Sequence, residues 1–438
     1  MNPANTAAMA QARVLAVTAP AAEADPMRFL MRAGAGPRGF WATSDSWVAH
    51  SGALATVMSE GDNPERLFSG VEASARDLVA SGSAEDADAL PGVRLYGGFA
   101  FSLECTTSDL WSGFPPALFH VPEVVLESVP GEAPRLTLRV LVDAEEDQDE
   151  SILARLATRA SRLCEKLDEE LEADRSGDSS TRIPFTRTES ARPDWEAAVR
   201  GALSAIDEGR VSKVVLARTL DVTTEHPLDP IEVVHHLWKG SPGSHVFYFE
   251  PEEGCAVVGA APEIVTGVSG GRFHATAVAG TVARGETPKE QEQLANRLLT
   301  SEKEGVEQRI ALDDMIERLG PLVEEIEAQP EPHVLTLARL QHLETEIHAR
   351  VPEGTSALTV LEALHPTPAV CGLPRDASLE FLQEEEPFER GWYAGPVGWF
   401  DLEGNGVFVP ALRCAVVHGL RWRLFAGAGI VEGSDPVL

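Results

Sequence analysis

Val211-Ser-Lys-Val-Val-Leu-Ala-Arg218 is a short apolar run broken by one lysine. In strand alternation Lys213 shares a face with Val215 and Ala217, while Val214 and Leu216 line the other face. A strand apolar on both faces is buried on both faces, so the fold must supply a layer on each side. Burial strips water from the Lys213 ammonium and favours the neutral amine that a general base needs. The bland alternative is an edge-strand gatekeeper lysine. Working outward, Ala256-Val-Val-Gly-Ala-Ala261 leads into Pro262-Glu263. Desolvation there raises a carboxyl pKa, so Glu263 is a candidate acid that holds its proton at neutral pH, with an ordinary Pro-Glu turn as the alternative. A buried base and a buried acid are the minimum equipment for acid–base catalysis.

The composition bounds what surrounds this stretch. At 438 residues and 43% hydrophobic content, the chain can bury one large core or two to three ordinary ones. A net charge of −33, from 69 acidic against 36 basic residues, argues against nucleic acid and anionic membranes as partners. It suits a soluble cytoplasmic enzyme in which an anionic substrate would need a local cationic pocket. Cys105, Cys164, Cys255, Cys371 and Cys414 are far apart and without metal spacing, so reduced, mostly buried thiols are expected. The first residues lack a basic and a long apolar region, so no signal peptide is read, and no apolar run is long enough to span a membrane.

Along the chain, residues 1–26 are Ala-rich and expected to be flexible. Residues 27–190 show short apolar runs punctuated by Gly and Pro, which predicts antiparallel sheet. Within them, the acidic run Asp143–Glu150 is read as a solvated loop, residues 151–173 as a charged helix, and residues 174–191 as a linker. Residues 191–438 open with helical spacing at Trp195, Val199, Leu203 and Ile206, ended by Gly209. Capping boxes at Thr287–Glu290 and Ser301–Glu304 predict two helices, the second reaching Leu319. The last part returns to strands and glycines. The fold class is α+β with large antiparallel sheets.

Further candidates surround the lysine and the glutamate. Glu304 and Glu307 lie three apart on a predicted helix and project from one face, where two carboxylates can share Mg²⁺ with substrate oxygens. A solvated helix surface is the alternative. Gly280 and Thr281, near Arg284, offer donors at a tight turn. Arg413 lies in an apolar run, read as a strand interior, and needs a partner: a substrate carboxylate or a structural salt bridge. Gly427-Ala-Gly429 permits close approach of a ligand to backbone.

In order, Ser212–Arg218, Ala261-Pro-Glu263, Ala279-Gly-Thr281, Ser301-Glu-Lys303, Leu364-His-Pro-Thr-Pro-Ala-Val370, Gly395-Pro-Val-Gly-Trp399, Leu412-Arg-Cys-Ala415 and Ala426-Gly-Ala-Gly-Ile-Val431 resemble the chorismate-utilising enzymes, and within them the isochorismate synthases. Tyr96-Gly-Gly-Phe-Ala-Phe101 and Trp111-Ser-Gly-Phe-Pro115 are similar to the menaquinone-pathway branch. The resemblance implies two antiparallel sheets packed on each other with helices outside. It implies Mg²⁺-dependent conversion of chorismate to isochorismate. The sequence does not give the oligomeric state, and a monomer or weak dimer is the expectation. Lys213 would activate water and Glu263 would protonate the departing hydroxyl. Glu304 and Glu307 would belong to the magnesium site. Gly280, Thr281, His342, Tyr393, Arg413, Gly427 and Gly429 would hold substrate.

Relatives of other specificity differ at these positions. Anthranilate synthase-like enzymes carry glutamine where Lys213 stands, and aminodeoxychorismate synthase-like enzymes carry lysine where Ala279 stands. Salicylate synthases share the lysine and both glutamates, but His365-Pro-Thr-Pro-Ala-Val370 is the isochorismate synthase version. An isochorismate or salicylate producer for a siderophore is the alternative enzyme, and an impaired chorismate-binding protein the alternative outside catalysis. Gln308 stands where the family usually shows histidine. Relatives continue past the equivalent of Leu438 with a helix carrying further magnesium-site glutamates. Either the sequence is truncated or, taken as complete, this chain is expected to bind Mg²⁺ weakly and to turn over poorly.

Overall fold

The computed structural model describes residues 12–34, 36–59, 61, 66–80, 93–102, 108–143, 149–169 and 184–437. Cys105 and much of the acidic and linker stretches lie outside them. Among the described residues the strands form two antiparallel sheets of 12 and 10 strands. The first runs β1 (Ala12–Pro20), β8 (Arg135–Asp143), β7 (Val124–Ser128), β3 (Trp47–Ser51), β2 (Arg38–Ala42), β11 (His245–Glu252), β12 (Cys255–Ala261), β21 (Cys414–His418), β22 (Arg421–Ile430), β10 (Lys213–Thr224) and β18 (Gly372–Leu373), with β9 (Phe185–Glu189) also pairing β10. The second runs β15 (Glu324–Ala328), β17 (Leu340–Arg350), β14 (Arg272–Ala283), β13 (Thr266–Ser269), β20 (Gly406–Pro410), β19 (Pro396–Phe400), β5 (Leu95–Phe99), β6 (Ala117–Val121) and β4 (Ala55–Ser59), with β16 (His333–Thr336) beside β17.

The expected α+β class is what forms, and burial explains its layers. Val214, Leu216, Phe247, Val257 and Val416 of the first sheet meet Leu118, Val397 and Val409 of the second in one apolar cluster between the sheets. The outer face of the first sheet packs α1 (Pro26–Arg32), α3 (Asp149–Glu169) and α5 (Pro230–Gly240) through Leu30, Ile152, Leu156, Ile231 and Val234. The outer face of the second packs α2 (Leu67–Ala80), α7 (Glu302–Leu319) and α8 (Ala357–Leu364) through Val71, Met315, Leu319 and Leu361. Burying one sheet face and one helix stripe per interface gives helix, sheet, sheet and helix layers. α4 (Arg192–Asp207), α6 (Pro288–Thr300) and α9 (Arg375–Glu385) flank the region around β10 and β14.

Three expectations change. Residues 12–20, expected to be flexible, form β1, paired with β8 along nine residues. The reason is apolar alternation: Leu15, Val17 and Ala19 pack against the cluster under α3. Phe185–Glu189, placed in a linker, is β9 and continues the sheet beside β10. Arg413, read as a strand interior, lies in the connection between β20 and β21, at φ +48°. Cys164, Cys255, Cys371 and Cys414 are buried, as expected.

Candidate active site

β10 delivers the lysine. Lys213 through Ala217 are all buried, so this strand is covered on both faces, as its pattern predicts. Lys213 itself is 0% exposed. Two connections hold it. Ser378 Oγ donates to the Lys213 carbonyl at 3.3 Å. Arg390 donates to the Val215 carbonyl at 2.7 Å and forms a buried pair with Glu386, whose Oε1 accepts the Ala217 N–H at 2.8 Å. The lysine ammonium finds one carboxylate, Glu307 Oε1, at 3.0 Å.

That carboxylate comes from α7. Ser301 caps this helix by accepting the Glu304 N–H at 3.3 Å. The return half of the expected capping box is absent. Glu304 Oε2 instead accepts the Thr281 N–H at 3.2 Å, so the helix start is tied to β14. The tie depends on Gly280, which sits at φ +69° where β14 slips register against β17. A Cβ at Gly280 would lie 2.9 Å from Glu304 Oε2, so glycine supplies both the left-handed conformation and the clearance.

The cavity between α7, β14, β17 and β22 has a volume of about 480 Å³. It is lined by Glu263, Gly280, Thr281, Glu304, Glu307, His342, Tyr393, Arg413, Gly427 and Gly429. The structure thus brings together every predicted site residue, with Lys213 behind Glu307. β22 forms one wall, paired alongside β10, with Gly427 beside Ala217 and Gly429 beside Val215. A side chain at Gly429 would strike Glu307 Oε1 and approach Lys213 Cε, and one at Gly427 would lie 2.8 Å from the Tyr393 hydroxyl. These glycines therefore clear the space in which the lysine, the glutamate and the tyrosine stand. Tyr393 is fixed by stacking on Phe425, with centroids 4.4 Å apart and planes 8° apart.

Glu263 follows β12 and is 4% exposed, with Oε1 lacking any hydrogen-bond partner. Burial pushes its pKa up to about 8; Lys213 and Arg413 pull against that and Glu344 adds to it. The carboxyl is therefore protonated near neutral pH and offers a proton to the cavity. His342 is held neutral, at about 4, first by burial and then by Arg413. Arg413 donates to His342 Nε2 at 2.6 Å, which leaves Nδ1–H to donate to Thr281 Oγ1 at 3.0 Å or to the Gly280 carbonyl at 3.2 Å. Of the two partners foreseen for Arg413, a structural salt bridge is not formed among the described residues. Its cavity-lining guanidinium rests on a neutral ring, so its charge is available to an anion. Arg413 and Ala394, at φ +62°, both line the cavity in the left-handed region, the kind of local strain that gathers at functional sites.

The donor set fits magnesium. Glu304 and Glu307 present oxygen only, from one helix face into one cavity, which suits a hard cation completed by water and substrate oxygens. Sequence reasoning missed Lys303, which also lines the cavity 3.8 Å from Glu304 Oε1, and the Glu386–Arg390 clamp under β10. The i,i+4 spacing of Glu386 and Arg390 was the available signal for the clamp, masked by an intervening Pro387. Gln308 is 2% exposed and donates to the Ala277 carbonyl at 2.8 Å and Thr345 Oγ1 at 3.1 Å, so it braces β14 and β17 behind the site.

Residues 3–438 match the family described as chorismate binding enzyme. The chain is 35% identical over 351 residues to the salicylate biosynthesis isochorismate synthase of Pseudomonas aeruginosa, covering 78% of this chain and 70% of that one. It is 33% identical over 346 residues to isochorismate synthase MenF of Bacillus subtilis, covering 79% and 71%. Among solved structures, the menaquinone-specific isochorismate synthase MenF of Escherichia coli superposes with a TM-score of 0.74 at 26% identity, over 97% of this chain and 90% of that one. Anthranilate synthase component I of Streptococcus pneumoniae shares the fold, with a TM-score of 0.71 at 18% identity, over 90% and 89%. With the whole described fold and the assembled cavity inside the matched residues, the chain belongs to the chorismate-binding enzyme family.

Proposed function

We propose that this chain is an isochorismate synthase. Water adds to the ring carbon of chorismate beside the carboxylate-bearing one, the ring double bonds shift, and the original hydroxyl leaves as water. One water enters and one departs, so product and substrate are isomers. Lys213 is the base that takes the proton of the attacking water. Glu263 gives its proton to the departing oxygen. The observation that carries this reading is Glu263: a buried carboxyl, protonated near neutral pH, with an unpartnered oxygen, bordering the cavity whose Glu307 has Lys213 directly behind it.

Arg413, beside neutral His342, receives a substrate carboxylate, and the Thr281 hydroxyl and Tyr393 orient the ring. Glu304 and Glu307 would hold Mg²⁺, whose chemistry is to neutralise carboxylate charge on a dianionic substrate. That cation and Arg413 together answer how an anion enters a chain of net charge −33. The reading extends to menaquinone formation, supported by the names of the MenF relatives. A second reading, supply of salicylate synthesis, is favoured by the name of the Pseudomonas aeruginosa relative.

A chromatographic assay with chorismate tests this. The expected result is isochorismate without pyruvate, lost in Lys213→Ala and Glu263→Gln and on chelation of Mg²⁺. Salicylate with stoichiometric pyruvate would instead make the chain a salicylate synthase. Chorismate left unchanged would overturn both readings.

A further inference from the structure

β14 and β17 bring together three side chains that the proposed chemistry leaves unused. His274 and His348 are direct cross-strand partners, and Glu346 precedes His348 by two residues, so all three share one face of the pair. The intervening Ala275 and Ile347 are both 0% exposed and pack into the core on the opposite face. The two imidazoles stack with centroids 4.9 Å apart, and His348 Nε2 lies 3.3 Å from Glu346 Oε2. One ligand atom from each of the three lies within 4.8 Å of the other two.

A tetrahedral cation with bonds of about 2.0–2.1 Å holds its ligand atoms roughly 3.3 Å apart. The Glu346–His348 edge already has that spacing. The remaining edges close by side-chain rotation, for which His348 and Glu346 have room, being 54% and 39% exposed. β15 places Glu327 on the other side of His348 as its cross-strand partner, on the same face. From the first sheet, His245 comes within electrostatic reach of His274 and has a buried Nδ1 without a hydrogen-bond partner.

We propose that His274, Glu346 and His348 form a binding site for one divalent transition cation of the zinc class, separate from the catalytic cavity. Six residues of extended strand set His348 roughly 20 Å from His342. Two imidazoles and one carboxylate select zinc over magnesium, which demands oxygen ligands. The bound ion bridges β14 to β17, the strands that carry Gly280, Thr281 and His342, and stabilises the folded chain by linkage.

The test uses the full chain, free of any histidine tag and stripped with chelator, titrated calorimetrically with Zn²⁺, and optically with Co²⁺ as reporter of tetrahedral geometry. One Zn²⁺ per chain is expected, with a rise in Tm. His348→Ala and Glu346→Gln are expected to weaken binding at least tenfold and abolish the Tm rise, while Glu304→Ala leaves both intact. The two substituted side chains are partly exposed, and an unchanged circular dichroism spectrum confirms that the variants fold. Absence of Zn²⁺ binding to the parent chain, undiminished binding by the two variants, or loss of binding in Glu304→Ala would overturn the proposal.

Discussion

In the proposed reaction, Glu263 carries conflicting demands on stability and activity. Its carboxyl ionises at about 8 in the folded chain and at about 4.3 when unfolded. A raised folded value means that the stability from holding the proton is fully present below about 4.3 and lost progressively as pH rises to about 8. Glu263→Gln keeps the shape without the titration. Its unfolding free energy is expected to exceed that of the parent by a margin that grows across that window, to about 5 kcal/mol at most by pH 8, while turnover is lost. Parallel melting curves from pH 5 to 9 measure this, and a constant offset would contradict it. In the parent enzyme the rate should fall as pH rises through about 8, because the acid form disappears. Arg413 makes the complementary demand on binding. Arg413→Ala removes a charge that rests on neutral His342, so KM for chorismate is expected to rise about ten- to a hundredfold, with the smaller effect on kcat. Steady-state kinetics separate the two.

At the scale of elements, the site depends on two tethers. One joins the start of α7 to β14 through Glu304 and the Thr281 N–H, made possible by the register slip at Gly280. The other is the Glu386–Arg390 pair, which holds the backbone of β10 at Val215 and Ala217 and also reaches the Val370 carbonyl at 2.9 Å. Both side chains of this pair are 4% exposed. Glu386→Gln leaves the guanidinium buried without its counter-charge, and a loss of about 3–5 kcal/mol is expected from the urea midpoint. Because the clamp grips the strand that carries Lys213, the surviving folded fraction should also turn over more slowly. A variant that unfolds like the parent would show that the pair is solvated.

In the whole molecule the two sheets interleave the chain. The first joins β2, from early in the sequence, to β11, and the second joins β5 to β19. Neither sheet can be completed by residues on one side of position 190 alone. Unfolding should therefore be one cooperative transition, with far-ultraviolet circular dichroism and tryptophan fluorescence superimposing in urea. Two separated transitions would show that the parts on either side of residue 190 fold independently.

The sequence by itself determined that β10 is buried on both faces, that Glu263 is desolvated, and that Ser301 starts a helix with Glu304 and Glu307 on one side. These readings rest on local period and polarity, and the neighbours that bury the residues come from elsewhere in the chain. The substrate-contact set came from ordered motifs, whose spacing along the chain carries no distances. Only the tertiary structure decided that Lys213 pairs with Glu307, that Glu304 leaves its capping role to grip Thr281, and that Arg413 rests on His342. It also decided that residues 12–20 find a partner strand and that Glu386 and Arg390 clamp β10. Each is a contact between residues at least 23 positions apart or, for the clamp, a local pair whose meaning lies in the distant strand it holds. The contacts of the site form where the two sheets and α7 converge, and that convergence is set by packing rather than by any local pattern.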